Sequence, residues 1–387
     1  MTLSEACKLI VDCPHSTAKD EGTGYPLIRT PNIGRGRLIL DSVQRVSKAV
    51  YDKRNARAIP QAGDLIFARE APAGNIAVIQ DGQEVCLGQR TVLLRPNPEV
   101  ADSDFLAYYL LLPEQQYRLI GTANGATVAH VNLPVIRNLE ISIPSIDIQK
   151  RMAGVLKAHD DLIENNQKQI KLLEDAAQRL YKEWFVDLHF PGYEDVKVVD
   201  GVPDGWKIKP LSEIANVVMG QSPKSEYYNT SGEGLPFHQG VGSYGTRFVK
   251  NEVFSSSFTR VAEAGSILFS VRAPVGRLNI TREKIAIGRG LSAINSKQGL
   301  QSFIFYLLKN KFFKDDIVGN GAIFSSITKN ELLEQKFLIP DEMTSRLFDV
   351  VVKEVDKKIE CLDSQINYLT EARDRLLPKL MSGEIEV

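Results

Sequence analysis

Between Ile148 and Phe185 the chain reads IQKRMAGVLKAHDDLIENNQKQIKLLEDAAQRLYKEWF, and the spacing of its apolar residues leaves few folds open. Alternating steps of four and three from Met152 pick out Met152, Leu156, His159, Ile163, Asn166, Ile170, Leu173, Ala177, Leu180 and Trp184. An apolar seam of this rhythm is the signature of a helix winding around another helix. Adding 196 gives Phe348, Val352, Val355, Ile359, Leu362, Ile366, Leu369, Arg373, Leu376 and Leu380, the same rhythm near the end of the chain. Two matched seams at a fixed offset predict two long helices and an internal duplication. The competing reading, two ordinary amphipathic helices on separate cores, fits a narrow and sustained seam less well.

The text between the helices repeats too. GLPFHQGVGSYGTRFVKN (234–251) answers GYPLIRTPNIGRGRLILD (24–41), and AGSILFSVRAPVGRLNI (264–280) answers AGDLIFAREAPAGNIAV (62–78). Leu87-Gly88-Gln89-Arg90 is answered by Ile287-Gly288-Arg289-Gly290, Asn124-Gly125-Ala126 by Asn320-Gly321-Ala322, and Ile143-Pro144 by Ile339-Pro340. Short apolar runs between turn signals make residues 1–145 and 206–340 β-rich. The expected exceptions are a helix from Asp104 to about Ile120, crossing Pro113, and a Gly-rich loop leading into a strand that ends at Pro144. The fold class is therefore α+β: two β-rich globules (1–145, 206–340) and two long helices (146–187, 341–382), with a linker (188–205) and a short tail (383–387). A pseudo-two-fold repeat packs as a closed dimer does, like against like. The helices are accordingly expected to run antiparallel as an intramolecular coiled coil on the order of 57 Å long. The seam's polar members, His159, Asn166 and Arg373, would fix register.

Several function classes are disfavoured. No apolar run approaches the ~20 residues of a membrane span, and the start, MTLSEACKLIVDC, does not resemble a signal peptide. Cys7, Cys13, Cys86 and Cys361 are scattered and read as free thiols of a cytoplasmic protein. Cys7, Cys13 and His15 fit no zinc spacing. No phosphate-binding loop, dinucleotide fingerprint, metalloprotease motif or nucleophile elbow is present. His15, His130, His159, His189 and His238 stand apart and read as structural. Asp160-Asp161 and Asp315-Asp316 are i,i+1 neighbours that cannot share a helix face, so they read as solvated surface. The chain by itself reads as non-catalytic, with no metal site.

A net charge of −1 argues against nucleic acid as a partner until it is divided. Residues 1–145 are neutral, 146–199 carry −2, 200–340 carry +5 and 341–387 carry −4, so the base lies in the globules and the acid in the helices. Arg29, Arg35, Arg37, Arg45, Lys48, Lys53, Arg54 and Arg57 crowd one stretch, and Arg247, Lys250 and Arg260 fall in its counterpart. Arg and Lys anchor phosphates, while Arg, Asn and Gln can reach base edges bidentately. A solvated sheet face explains the same residues less well once the duplication is considered, because two similar globules can read two half-sites.

With LIENNQKQIKLLEDAAQRLYKEWFVDLHFPGYE in the middle, LDSQINYLTEARDRLLPKLMSGEIEV at the end and VPDGWKIKPLSEIANVVMGQSP opening the second half, the chain resembles the DNA specificity subunit of type I restriction-modification enzymes. The paired stretches Gly63–Gly74 and Gly265–Gly276 add to the likeness, which covers effectively the whole chain. The resemblance implies that the globules are target-recognition domains, each reading half of a split double-stranded DNA sequence, with the helices as a ruler for the gap. It implies docking of two adenine-N6 methyltransferase subunits, and optionally of ATP-driven restriction subunits, on the helices. S-adenosylmethionine, ATP and Mg would belong to those partners, with no cofactor in this chain. Base-contacting residues do not transfer with the resemblance. On chemistry, the expected DNA contacts are Arg29, Arg35, Arg37, Arg69 and Arg90 in one half and Gln239, Tyr244, Arg247, Arg272, Arg277 and Arg289 in the other. A duplicated protein-binding adaptor on a helical rod is the alternative.

Overall fold

The computed structural model describes residues 1–121, 130–312 and 326–387. The expectations placed on Asn124–Ala126, Asp315-Asp316 and Asn320–Ala322 lie outside them. The chain divides into two compact units, Met1–Asn166 with Ser364–Val387, and Gln167–Asp363. The long helices span Ile146–Phe185 and Glu342–Met381, 40 residues each. The offset of 196 read from the sequence maps one onto the other from first residue to last. Both cross the division, so each unit contains one globule and a segment of each helix. Asp341 starts the second helix, accepting from the Thr344 backbone N–H at 3.0 Å and the Thr344 hydroxyl at 2.6 Å, which satisfies a first-turn donor that has no partner inside the helix.

In the first unit, Leu156 packs with Leu377, Leu380 and Tyr108 in one buried cluster, and Asn166 Nδ2 donates to Gln365 Oε1 at 3.1 Å. Partner numbers fall as helix numbers rise, so these segments run antiparallel. In the second unit Tyr181, Trp184 and Phe185 meet Phe348, whose ring is fully buried at centroid distances of 5.7, 5.8 and 5.0 Å. The pseudo-equivalents in the first unit, Leu377, Leu380, Met381 and Met152, are aliphatic. Duplicated positions thus fill equivalent space with different shapes. Of the thirteen seam residues expected to be covered, Met152, Leu156, Ile170, Val352, Ile359 and Leu362 are buried. Ile163, Leu173, Leu180, Val355, Ile366, Leu369 and Leu376 are half-buried.

Each globule repeats one sheet. In the first unit the strand order is Cys7–Asp12, Thr91–Pro96, Leu65–Ala68, Ile76–Val78, Arg35–Arg37. In the second it is Ala215–Met219, Leu291–Ser296, Ile267–Ser270, Leu278–Ile280. The central strands Leu65–Ala68 and Ile267–Ser270 are buried along their whole length, which is why their text is continuously apolar and not alternating. A smaller sheet holds a parallel pair in each unit, Tyr25–Ile28 with Cys86–Leu87 and Leu235–His238 with Ile285–Ile287. The Ala-Pro-x-Gly turns match as well, with cis Ala71-Pro72 and cis Ala273-Pro274.

Two sequence expectations need correction. The helix over 104–120 is two helices, Ser103–Leu110 and Pro113–Ile120. Pro113 lacks an N–H and its ring clashes with the preceding turn, so it ends one helix and starts the next at a position where no N–H is needed. The strand expected before Pro144 is a helix, Leu133–Arg137, followed by a single bridge between Glu140 and Thr2. Among the described residues no helix is long and apolar enough to cross a membrane, and no three His, Cys, Asp or Glu are grouped to hold a metal ion.

Phe348 carries the aromatic contact between the two helix segments of its unit. Phe348→Ala is expected to destabilise the protein by ~3–5 kcal/mol, read as a lower urea midpoint. A change under ~1 kcal/mol would mean that the surrounding rings close the cavity.

Candidate nucleic-acid interface

A helix carboxylate withdrawn from solvent, wholly or in part, must find donors, and in both units it finds at least one on the globule. In the second unit Asp356 accepts from Arg247 Nη2 at 2.5 Å, the Ser302 hydroxyl at 2.6 Å and the Tyr306 hydroxyl at 3.2 Å. Arg247 also reaches Glu174 at 3.4 Å and lies 3.7 Å from the Phe305 ring centroid, with only 2 % of its side chain exposed. Burial alone would loosen the Arg247 proton, but the neighbouring Tyr306, Asp356 and Glu174 outweigh it and bind the proton more tightly. In the first unit Asp160, 5 % exposed, accepts from the Tyr108 hydroxyl at 2.5 Å and from Arg373 Nη1 at 2.6 Å. Burial first, then the Asp160 charge, pushes the Tyr108 hydroxyl far above its ordinary range. Asp160 and Asp356 stand 196 apart, so the clamp is a duplicated feature.

These contacts overturn several readings. Asp160 is a buried acceptor, not solvated surface. Arg247 is not available to DNA, because its guanidinium is enclosed by two carboxylates and two rings. Arg37 turns to the helix, 2.6 Å from Asp161 and half-buried. Arg69 is 7 % exposed, donating to both Asp12 oxygens at 2.9 Å and to the Val131 carbonyl at 2.8 Å. It therefore fastens the first strand to the segment before Leu133. Arg54, counted with the basic stretch, is buried and donates to the Leu87, Ser16 and Pro14 carbonyls. Tyr244 is half-buried, with its hydroxyl facing no partner among the described residues.

The other candidates reach the surface. Arg29, Arg35, Arg90, Gln239, Arg272, Arg277 and Arg289 are exposed, with Arg90 2.8 Å from Glu70 and Arg35 donating to the Leu111 carbonyl at 3.4 Å. Four of them gather at the ends of the parallel strand pairs. Ile28 is registered against Leu87 and His238 against Ile287. The bond from Gly88 N to Ile28 O is 2.7 Å and that from Gly288 N to His238 O is 2.9 Å. Arg29 and Gln239 follow directly, each beside its glycine. A Cβ on Gly88 would come within 2.8 Å of Arg29 Cγ, and one on Gly288 within 2.5 Å of Gln239 Oε1. Close approach of side chain to bare backbone is what glycine permits here. Ser222 donates to Gln239 Oε1 at 2.7 Å and accepts from Arg289 N at 3.1 Å, which ties two exposed candidates together.

Sequence reasoning missed Tyr108, Asp160, Glu174, Ser222, Tyr306 and Asp356. The one available signal was the offset of 196 linking the two aspartates.

The family model for the type I restriction modification DNA specificity domain matches residues 3–175 and again 203–367. The chain belongs to that family. It is a specificity subunit, whose role is recognition of a DNA sequence within a restriction-modification system and not catalysis. It is 30% identical over 374 residues to the specificity subunit assigned to the type I restriction enzyme MjaX of Methanocaldococcus jannaschii, covering 94% of this chain and 88% of that one. The MjaIX specificity subunit of the same organism is 26% identical over 360 residues, 89% of this chain and 82% of its own. In fold, the specificity subunit is similar to the S subunit of a type I restriction-modification system from M. genitalium, at a TM-score of 0.59 and 18% identity over 98% and 95% of the two chains.

Two predictions separate scaffold from surface in this specificity subunit. Arg247→Ala removes a buried guanidinium and leaves the half-buried Asp356 and Glu174 without their cation, which is expected to cost up to ~3–5 kcal/mol, measured by denaturant unfolding. An unchanged midpoint would return Arg247 to the surface candidates. His238, 1 % exposed, faces Ser243 Oγ at 2.7 Å and Asn251 Oδ1 at 3.0 Å, and burial holds its pKa below the ordinary value. The unfolded chain therefore takes up the proton first, and stability is expected to fall as pH drops below about 6.5. Titration of the His238 ring by NMR checks the sign, and a pKa above the ordinary value would refute it.

Proposed function

We propose that this specificity subunit reads a split double-stranded DNA sequence with a fixed gap, and so directs adenine-N6 methylation and restriction by partner subunits. Residues 1–145 and 206–340 act as target-recognition domains, one for each half-site. The helical segments 146–187 and 341–382 form an antiparallel coiled coil that sets the gap, joined through the 188–205 linker and followed by the 383–387 tail. Two methyltransferase subunits dock on the helices and carry S-adenosylmethionine. Restriction subunits, where present, carry ATP and Mg. The assembly works in the cytoplasm, where its DNA lies.

The carrying observation is one sheet order occurring twice with different exposed side chains on it. Duplicated backbones supply two similar platforms, and divergent side chains supply two sequences. A protein-binding adaptor accounts for the duplication but not for membership of a DNA specificity family. The chain, co-expressed with its methyltransferase partner in an unmethylated host, is expected to place N6-methyladenine at one bipartite motif of fixed gap. Methylation at a continuous motif, or scattered without a motif, would overturn the reading.

A further inference from the structure

Arg29 with Gln89 and Gln239 with Arg289 occupy the same two places in their respective units. Each pair begins one residue beyond the last registered pair of two parallel strands, Ile28 with Leu87 and His238 with Ile287. Each first residue lies over a glycine, Gly88 or Gly288, and each second residue follows that glycine. Arg29, Gln239 and Arg289 are exposed and Gln89 is half-buried. No ion pair among the described residues holds Arg29 or Arg289, in contrast with Arg37, Arg69 and Arg247. The two residue types are the same in both units, and their order is exchanged.

Arg pairs bidentately with the O6 and N7 of guanine, and Gln with the N6 and N7 of adenine. A side chain laid over a glycine loses fewer rotamers on meeting a base edge than one free in solvent. In the second unit Ser222 reinforces this, fixing the Gln239 carboxamide oxygen at 2.7 Å while touching the Arg289 backbone at 3.1 Å. The oxygen keeps a second lone pair and the amide nitrogen keeps both donors, which is the set that adenine needs.

We infer that Arg29–Gln89 and Gln239–Arg289 are the base-reading pairs of the two units, and that the exchange of Arg and Gln between them makes the half-sites different. Each half-site then contains one G·C and one A·T pair read from the strand ends, in opposite order relative to the fold. Ser222 is a positioning residue for the second pair. This inference rests on the proposal that each unit reads one half-site.

The test uses the full-length chain and a library of duplexes with randomised positions, sequenced before and after binding. The unsubstituted chain is expected to select a two-part motif. Gln239→Ala should reduce discrimination at one A·T position of one half by ~5- to 150-fold and leave the other half unchanged. Arg29→Ala should do the same at one G·C position of the other half. Melting temperatures of both variants are expected to match the parent, because both side chains are exposed. A selected motif that either substitution leaves intact, or a loss equal across all sequences, overturns the base-reading pair while the half-site proposal stands. Selection of no motif by the unsubstituted chain overturns both.

Discussion

A carboxylate on a long helix, buried at Asp160 and half-buried at Asp356, organises each half of this molecule. Withdrawing a carboxylate from water, wholly at Asp160 and in part at Asp356, is costly unless donors replace the lost solvent, and the replacements come from definite places. In the second unit they are Arg247, Ser302 and Tyr306, carried by the sheet edge and by the helix Gln301–Phe312. In the first they are Tyr108, from the helix Ser103–Leu110, and Arg373, from the other long helix. A slide of one residue along a helix moves a side chain by ~1.5 Å and turns it by about a quarter turn. Either movement would break hydrogen bonds of 2.5–2.6 Å. Apolar packing is tolerant by comparison, as the aromatic cluster around Phe348 and the leucines Leu156, Leu377 and Leu380 of the first unit show. The clamp therefore sets where on the helix each globule sits, and the packing fills in around it.

The clamp also sorts the arginines. A guanidinium with its donors satisfied inside the protein cannot be offered to a phosphate or base without leaving a carboxylate bare. Arg247 and Arg69 are of that kind, each facing an aspartate, and Arg37 is half-buried with its Nη2 paired to Asp161. Net charge counts these residues equally with Arg29 or Arg289, which is why the charge of a segment is a poor guide to its surface. The +5 of residues 200–340 includes Arg247, whose charge is already met by Asp356 and Glu174.

The long helices were legible because their seam is local text with a fixed rhythm, and their duplication because a constant offset carries no ambiguity. The sheets were legible as β-rich text but not as an order of strands, since pairing partners such as Cys7–Asp12 and Thr91–Pro96 lie far apart in sequence. Pro113 was visible, yet its meaning depends on whether the chain turns there. The site was the least legible part. Asp160 was misread by an argument about its neighbour Asp161, when the deciding partners, Tyr108 and Arg373, lie 52 and 213 residues away. Arginines were ranked by type and company, and type alone does not separate a guanidinium enclosed by carboxylates from one in water.

The strand ends stand apart from all of this. The bonds that shape them, Gly88 N to Ile28 O and Gly288 N to His238 O, are between backbone atoms and make no demand on the side chains at 29, 89, 239 or 289. The clamp, by contrast, requires an acid at 160 and 356 and a hydroxyl opposite each. A duplicated chain under these two conditions is free to change at the strand ends and constrained at the clamp. Its two halves carry that pattern: aspartate facing tyrosine in both, and Arg with Gln in one order here and the reverse there. Reading can therefore diverge between the halves without disturbing how either globule is seated on its helix.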